Sequence, residues 1–413
     1  PHRLVVCIAT DPDGAGRIEA DLERLLGDGV ARAFPQREAL PHEEGEPHLE
    51  IGGLRVEAVE ALFSGQARVL TTTLRALQEK GPLPHRLGEL RMELRPGEVI
   101  EFQSLVEQLE ARGFDRVPLV EGVGQFAVRG GIVDVFSFGS PDPVRVEFWG
   151  DEITSLRAFD ILDQRSIREL ESAQLLPIDF LKAGSEEAAQ SRSLLDLLPA
   201  DALLVTPSAI DWEGGPGAIW QRAQEIVEDL RQHRGSTHSA DELFLTPDET
   251  RGLLDRFPRL EMSAEPAGQP GAPNLGAAPP PGIERDMDRL AAVLREGAAK
   301  GRTTLVLCDN EGQLERLEEL LGGTRALPSG TVLGVGSLAA GFRLASADPD
   351  LLCLTDHEIF RRSRRLRRGR RFRGAVALES LSQLTPGDYV VHLDHGIGRF
   401  KGLERVDVGD ESI

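Results

Sequence analysis

GQFAVRGGIVDVFSFGSPDPVRVEFWGDEITSLRAFDILDQRSI, residues 124–167, carries the clearest structural pattern in the 413-residue sequence. Apolar and polar residues alternate in short runs at 125–129, 132–138, 144–149 and 154–160. Turn-forming residues separate these runs at Gly130-Gly131, 139–143 and Gly150-Asp151. Short alternating runs joined by tight turns are typical of β-hairpins. The stretch therefore predicts an antiparallel sheet.

The run VRVEFW (144–149) separates two kinds of side chain, because successive residues of a strand point to opposite faces. One face is expected to carry Val144, Val146 and Phe148, and the other Arg145, Glu147 and Trp149. Tryptophan and arginine are over-represented among the residues that dominate protein interfaces. The second face, extended by Arg129 from a neighbouring strand, is therefore a candidate binding surface. The alternative is that Trp149 packs on an adjoining domain and the arginines only keep the sheet soluble.

The sequence on both sides of this sheet has the pattern of α/β domains. Strands are predicted at 3–9, 30–34, 68–72 and 202–206, with helices at 51–63 and 99–112. A further helix carries Ile18, Leu22, Leu25 and Leu26 at helical spacing and is capped by Gly27. Residues 284–356 form another α/β unit, with a helix expected to end at Gly297 and a strand at 303–308.

Charge is distributed unevenly along the chain. The net charge is −21, yet residues 361–373, RRSRRLRRGRRFR, contain nine arginines in thirteen positions. Arg364, Arg365, Arg367 and Arg368 are candidate contacts to a nucleic-acid backbone. The alternative is a solvated linker that its own charge keeps extended.

Several site classes are disfavoured. None of the four lysines (Lys80, Lys182, Lys300 and Lys401) follows a glycine, so a phosphate-binding loop is not expected. No catalytic residue, metal site or cofactor is predicted for this chain, and its three cysteines are expected to be free, buried thiols. The close-set His392, Asp394 and His395 are better explained as a turn than as a metal site. No apolar run is long enough to cross a membrane, and a cytoplasmic location is the expectation.

Residues 124–167 resemble the UvrA-binding domain shared by the repair helicase UvrB and the bacterial transcription-repair coupling factors (Mfd). The stretch 34–62 is similar to the first domain of the same module. LTPGDYVVHLDHGIGRFKGLERVDV (384–408) resembles the RNA-polymerase-interacting domain of the coupling factors, which UvrB lacks. The passage between Leu40 and Leu54 is also too short for UvrB's DNA-wedging hairpin. The coupling factors are therefore favoured, with a UvrB-like DNA repair helicase as the alternative.

The resemblance implies site residues and partners. It assigns UvrA binding to Arg129, Arg145 and Trp149, although the family more often has phenylalanine at the last position. It assigns part of the contact with the RNA polymerase β subunit to His392, Gly396, Gly398 and Arg399. ATP, Mg²⁺ and most DNA contacts are implied for a translocase expected beyond residue 413, so that this chain would be an N-terminal fragment.

The predicted fold is multidomain α/β, with a degenerate helicase-like domain, an inserted α+β domain, a small α/β domain and a partial SH3-like β domain. The expected segments are 1–85 and 178–262 (two halves of the helicase-like domain), 86–177 (inserted UvrA-binding domain), 263–283 (Pro/Gly-rich linker), 284–358 (small α/β domain), 359–383 (Arg-rich linker) and 384–413 (start of the polymerase-interacting domain).

Overall fold

The computed structural model describes most of the chain up to residue 360 and four short pieces after it. The described residues are 3–27, 29–37, 49–84, 91–178, 180, 191–207, 210–234, 239–263, 273–323, 327–360, 389–392, 396–399, 407–408 and 411–412. The chain divides into two compact units, Pro1–Phe372 and Arg373–Ile413, and each is described by itself.

Helices and strands alternate in the first unit. The α-helices are α1 (Pro12–Leu26), α2 (Leu49–Phe63), α3 (Leu74–Gln78), α4 (Phe102–Ala111), α5 (Ala218–Arg234), α6 (Ala240–Leu243), α7 (Pro247–Leu254), α8 (Met287–Ala299), α9 (Glu311–Leu320) and α10 (Asp356–Phe360). The first strands are β1 (Val5–Ala9), β2 (Ala31–Phe34), β3 (Val69–Thr73), β4 (Met92–Leu94), β5 (Asp115–Arg116), β6 (Gln125–Arg129), β7 (Ile132–Val135), β8 (Val144–Trp149), β9 (Glu152–Phe159), β10 (Ser166–Glu169) and β11 (Ala173–Leu175). They are followed by β12 (Leu203–Pro207), β13 (Arg259–Met262), β14 (Ala277–Ala278), β15 (Thr303–Cys308), β16 (Thr331–Val335), β17 (Phe342–Leu344) and β18 (Leu351–Thr355).

A five-stranded parallel sheet has the order β13-β12-β1-β3-β2. Its central strand β1 pairs on one side with β3 and on the other with β12, which comes much later in the chain. Parallel strands covered on both faces are rich in apolar residues, and Val6, Ile8 and Leu204 are buried in the core of this sheet. The strands predicted at 3–9, 30–34, 68–72 and 202–206 are confirmed within one or two residues at each end.

Helix α1 faces the sheet differently from the prediction. Its buried residues are Ala15, Gly16 and Glu19, whereas Leu25 and Leu26 are 60% and 53% exposed. The predicted apolar stripe was therefore wrong at its C-terminal end. Small side chains allow the middle of the helix to approach the sheet closely, and the last turn remains in solvent. The predicted cap is confirmed, since Gly27 ends the helix with a φ of 97°.

A six-stranded sheet of order β10-β9-β8-β7-β6-β5 contains the four strands predicted in residues 124–167. Its strands pair antiparallel, except that β5 pairs with β6 in parallel. One face packs on α4 through Leu105, Val106 and Leu109, which belong to the same buried core as the apolar row of β8. Helix α4 begins later than predicted, because Val99 is in an extended bridge to Glu152.

The third sheet has the order β14-β17-β18-β15-β16. Strand β15 is found as predicted, with parallel neighbours β16 and β18. The sequence predicted that helix α8 ends at Gly297, and this prediction was wrong. Gly297 is buried inside the helix, where an added Cβ would lie 3.2 Å from Thr304 Oγ1, and the helix continues to Ala299. Residues 277–278, which the sequence assigned to the linker, pair with β17.

In the second unit the described residues form two antiparallel pairs. Tyr389–His392 (β19) pairs with Gly396–Arg399 (β20), and Asp407–Val408 (β21) pairs with Glu411–Ser412 (β22). In the part of the chain that the structure describes, no helix is both long and apolar enough to span a bilayer.

All three cysteines are free. Cys308 and Cys353 are buried as predicted, but Cys7 is only partly buried. Burial raises the pKa of Cys308 and of Cys353 to about 11. Because the thiolate is the reactive form, both thiols are expected to be inert.

Candidate functional site

The candidate site is the face of the six-stranded sheet opposite α4, here called the outer face. It carries Arg129, Asp134, Arg145, Glu147 and Trp149. Side chains of β8 alternate as predicted, since Val144, Val146 and Phe148 are buried and Trp149 is exposed. The outer face is also covered in part by a small apolar cluster of Val120, Ala127, Phe136 and Phe159.

Asp134 is at the centre of the outer face and only 1% exposed. It pairs across the strands with Arg145 of β8. The Arg145 guanidinium donates two hydrogen bonds to its carboxylate, from Nε to Oδ1 at 2.7 Å and from Nη2 to Oδ2 at 3.0 Å. Arg129 donates to Oδ2 from its own Nη2. One buried carboxylate therefore holds both arginines that the sequence singled out.

Further contacts hold Arg145 in place. Its Nη1 donates to the carbonyl oxygen of Gln164 at 3.2 Å, and its guanidinium carbon lies 4.8 Å from the centre of the Phe159 ring. The hydrogen bond to Asp134 is the main cause that raises the pKa of Arg145. Bidentate arginine–carboxylate pairs fix geometry as well as charge. Arg145 is thus a fixed cation, not a mobile one.

The two arginines differ in accessibility. The Arg129 side chain is 44% exposed, whereas that of Arg145 is 15% exposed. Arg129 can present N–H groups to a partner while it remains paired with Asp134. Arg145 offers less surface, and most of its donors are already used inside the domain. From the sequence, both arginines were predicted to contact a partner in the same way. In the structure they differ in how much of each side chain a partner could reach.

Trp149 projects from the end of β8 and is 83% exposed. The alternative that it packs on an adjoining domain is therefore wrong. Trp149 pairs with Glu152 across the Gly150-Asp151 turn, and Glu152 also bridges to Val99, which is 74% exposed. Glu152 therefore connects the backbone positions of two exposed apolar residues at this end of the sheet.

A register shift adjoins this end of the sheet. Glu147 pairs with Ser155 and Phe148 with Ile153, so Thr154 is an extra residue in β9. Such bulges re-aim side chains at the edges and ends of sheets. Here Phe148 remains in the core and Trp149 projects into solvent.

The other residues predicted to form sites are only partly described. In the second unit, His392 pairs with Gly396, Val390 with Gly398, and Tyr389 with Arg399, whose side chain is exposed. The structure thus places the predicted polymerase-contact residues on one hairpin. Arg364, Arg365, Arg367 and Arg368, as well as Asp394 and His395, lie outside the described residues.

Sequence reasoning missed Asp134 and Val99. The signal for Asp134 was present, because an acidic residue interrupts the apolar run Ile132–Val135 at a position that alternation assigns to the outer face. Its burial depends on arginines from two neighbouring strands, and cross-strand register is not visible in a single sequence. Val99 was assigned to a helix, so its exposure at the end of the sheet was not foreseen.

Two domain families match parts of the chain. Residues 92–180 match the UvrB interaction domain, and this range contains the whole outer face. Residues 384–413 match the CarD-like/TRCF RID domain, and this range contains the β19–β20 hairpin.

Similarity to curated proteins extends along nearly the whole chain. Proteins named transcription-repair-coupling factor match it at 27% identity in Haemophilus influenzae, over 99% of this chain and 41% of the relative. The protein from Mycobacterium tuberculosis matches at 28% identity, over 98% of this chain and 39% of the relative. The Escherichia coli protein matches at 26% identity, over 98% and 40%. The chain therefore spans about two fifths of the length of these relatives.

Fold and matched domains together define the class, a mixed α/β protein that carries a UvrB interaction domain. Along nearly its whole length the chain is similar to the transcription-repair-coupling factors. The resemblance drawn from residues 124–167 and 384–408 is thereby confirmed.

Proposed function

We propose that this chain acts in transcription-coupled nucleotide excision repair, and that its outer face binds UvrA and recruits it to RNA polymerase stalled at a DNA lesion. Support comes from the UvrB interaction domain at residues 92–180 and from relatives named transcription-repair-coupling factor. The single observation that carries the proposal is Trp149, which is 83% exposed on the same sheet face as the paired arginines.

The arrangement suits a protein-docking surface. Tryptophan and arginine are enriched among the residues that dominate protein interfaces, and Trp149 is exposed on the same sheet face as Arg129. Arg129 is held by Asp134 before any partner arrives, so little side-chain entropy is lost when its remaining N–H groups are engaged. The matching UvrA surface would offer an apolar pocket to Trp149 and acceptor oxygens to Arg129.

Val99 extends this surface. It is 74% exposed and bridges to Glu152, the cross-strand partner of Trp149. An apolar patch beside charged donors has the composition of an interface centre with a polar surround. UvrA is therefore expected to cover Val99 together with Trp149.

Polymerase binding is proposed for the second unit. The hairpin of β19 and β20 would provide the first part of a contact to the RNA polymerase β subunit, with Gly396, Gly398 and Arg399 on one strand and His392 on the other. Displacement of the polymerase by an ATP-driven translocase, with Mg²⁺, is proposed for the whole protein. No lysine of these 413 residues follows a glycine, so this chain is not expected to supply the usual triphosphate site.

Isothermal titration of the chain with UvrA tests the proposal. Trp149→Ala and Arg129→Ala should each weaken binding about tenfold to thirtyfold, because hot-spot truncations cost on the order of 2 kcal/mol. Trp149→Phe should bind nearly as well as the unchanged chain, since it keeps an apolar ring. Arg289→Ala, an exposed arginine on α8, is the matched control and should change nothing. Unaltered affinity in both of the first two variants would refute the assignment of the outer face.

A further inference from the structure

A second cluster of titratable side chains belongs to a different sheet from the outer face and lies at the carboxyl ends of two strands of the third sheet. Asp309 directly follows β15, and Asp356 and His357 directly follow β18. The two strands are parallel neighbours, with Leu307 opposite Thr355. Their carboxyl ends therefore bring together residues that are far apart in the sequence.

This position is a topological switch point of the sheet. After β15 the chain passes through α9 to β16 on one side, whereas β18 pairs with β15 on the other side. In open α/β sheets, ligands bind in the crevice outside the carboxyl ends of strands where the order reverses in this way. The cluster is thus at the place where this architecture most often holds a ligand.

The three side chains converge on one small volume. His357 Nε2 lies 2.8 Å from Asp309 Oδ2 and 3.7 Å from Asp356 Oδ1. One carboxylate oxygen of each aspartate and one imidazole nitrogen all lie within 4.8 Å of one another. Around a divalent ion with bonds of about 2.0–2.2 Å, adjacent ligand atoms are roughly 3–3.5 Å apart. Small side-chain adjustments would therefore let all three bind one ion.

The imidazole does not behave as an ordinary buried histidine. Both of its ring nitrogens are shielded from solvent, and neither makes a well-formed hydrogen bond with any residue that the structure describes. This holds although Nε2 is only 2.8 Å from the Asp309 carboxylate. Buried polar atoms are normally hydrogen-bonded. Nε2 and Asp309 Oδ2 are therefore close enough to be adjacent ligand atoms of one ion, and Nδ1 has no hydrogen-bond partner among the described residues.

The donor set indicates which ions would fit. The imidazole suits Zn²⁺, which also accepts carboxylate ligands, and the two carboxylates suit Mn²⁺, whereas Mg²⁺ and Ca²⁺ prefer oxygen donors alone. Three protein ligands also leave room for water in the remaining positions, as in open zinc sites. Asp356 is buried at 1% exposure and Asp309 is at the surface with its side chain 34% exposed, so an ion would enter past Asp309.

We propose that Asp309, Asp356 and His357 form a binding site for one divalent transition-metal ion, with Zn²⁺ and Mn²⁺ as the candidate ions. The site is independent of the outer face and of UvrA. It lies within the third sheet, and it ties the ends of β15 and β18 together.

Calorimetric titration of the metal-free 413-residue chain with ZnCl₂, and separately with MnCl₂, tests the site. One equivalent of at least one of these ions should bind to the unchanged chain. It should bind equally to the control Asp288→Asn, which changes an exposed aspartate of helix α8. Asp309→Asn and His357→Gln should each weaken that binding at least tenfold. Failure of both ions to bind saturably, or unchanged binding in both variants, would overturn the proposal.

A spectroscopic measurement on the unchanged chain avoids dependence on the folding of variants. One equivalent of Co²⁺ should give visible d–d absorption stronger than that of the hydrated ion, and Zn²⁺ should abolish it by displacement. A spectrum identical to that of hydrated Co²⁺ would contradict an inner-sphere site. Circular dichroism of Asp309→Asn should match that of the unchanged chain, because the Asp309 side chain is partly exposed and the substitution keeps its shape.

Discussion

Asp134 organises the charges of the outer face at the scale of single residues. A carboxylate at 1% exposure is stable only when its charge is compensated, and here Arg145 and Arg129 supply the compensation. The two arginines do not carry equal weight, because Arg145 is nearly enclosed and Arg129 is half exposed. Arg145 should therefore contribute mainly to the stability of the fold, and Arg129 mainly to binding of a partner.

Arg145→Ala should lower the free energy of unfolding by about 2–4 kcal/mol, because it removes the bidentate partner of a buried carboxylate. Arg129→Ala should lower it by less than about 1 kcal/mol, as expected for a partly exposed ion pair. Urea denaturation of both variants measures the difference. Arg145→Lys serves as a further comparison, since lysine keeps the charge but cannot make the forked contact.

Equal losses of stability in Arg145→Ala and Arg129→Ala would contradict the distinction drawn between them. A loss confined to Arg129→Ala would show that Asp134 depends on the more exposed arginine, contrary to the geometry.

At the scale of elements, helix α2 packs directly against the loop that follows β7. Gly53 of α2 faces the ring of Phe138, which is 2% exposed, and a Cβ at Gly53 would overlap that ring. The helix can therefore approach the UvrB interaction domain only if this position has no side chain. This contact packs helix α2 against the loop after β7.

Gly53→Ala should destabilise the chain by about 1–3 kcal/mol, the usual range for overpacking a well-packed core. Gly252→Ala is the matched control, because Gly252 is an exposed residue in helix α7 with no atom within 4 Å of an added Cβ. That substitution should raise stability by up to about 1 kcal/mol through helix propensity. Thermal unfolding of the two variants should move in opposite directions, and a neutral Gly53→Ala would argue against the close contact.

Glu57 on the same helix predicts a dependence on pH. Burial raises its pKa from the ordinary 4.5 to about 7, against the opposing effects of Arg32 and the Gly139 backbone, while Glu60 and Glu19 add to the increase. As pH rises from 4.5 towards 7, the unfolded chain releases this proton before the folded chain does. The free energy of unfolding that the protonated Glu57 carboxyl contributes is therefore lost as pH rises from about 4.5 to about 7.

Glu57→Gln removes that loss, because glutamine does not ionise. The variant's advantage in unfolding free energy over the unchanged chain should grow by on the order of 1–2 kcal/mol between pH 5.5 and pH 8. Denaturation at the two pH values measures it. A constant difference, or one that shrinks as pH rises, would mean that Glu57 titrates normally in the folded chain.

Elements with strong local patterns were predictable from the sequence. Strands β6, β8 and β15 follow from alternating or continuous apolar runs, and their observed bounds agree with the prediction. Helix α1 was predicted in place, but its buried face was wrong at the C-terminal end, because Leu25 and Leu26 stay in solvent while Ala15 and Gly16 are buried. Close approach through small residues is a tertiary effect that periodicity does not report.

The candidate site was predictable only in part, for a related reason. Alternation placed Arg145 and Trp149 on one face, and the exposure of Trp149 agrees with a binding surface. Alternation could not show that Asp134 holds both arginines, since that contact depends on the register of three strands. The cluster of Asp309 and His357 was invisible for the same reason, because it requires β15 and β18 to be neighbours.

At the scale of the whole molecule, the matched UvrB interaction domain is a closed structural segment. Its opening strand β4 and its closing strand β11 pair with each other, so the chain enters and leaves at one place. The parallel sheet on the other side of this junction is built from strands that precede and follow the segment, since β1 pairs with β12. A segment attached in this way can present its outer face without interrupting the core of the parallel sheet.

The most direct test of the central claim is site-specific photo-crosslinking. The chain is prepared with p-benzoylphenylalanine in place of Trp149, and in a second preparation in place of Val335, an apolar residue of β16 that is exposed as well, at 53%. Each is irradiated with UvrA and resolved by mass spectrometry. The account predicts a UvrA crosslink from position 149 and none from position 335. UvrA that binds the chain but is not crosslinked from position 149, or is crosslinked only from position 335, would contradict it.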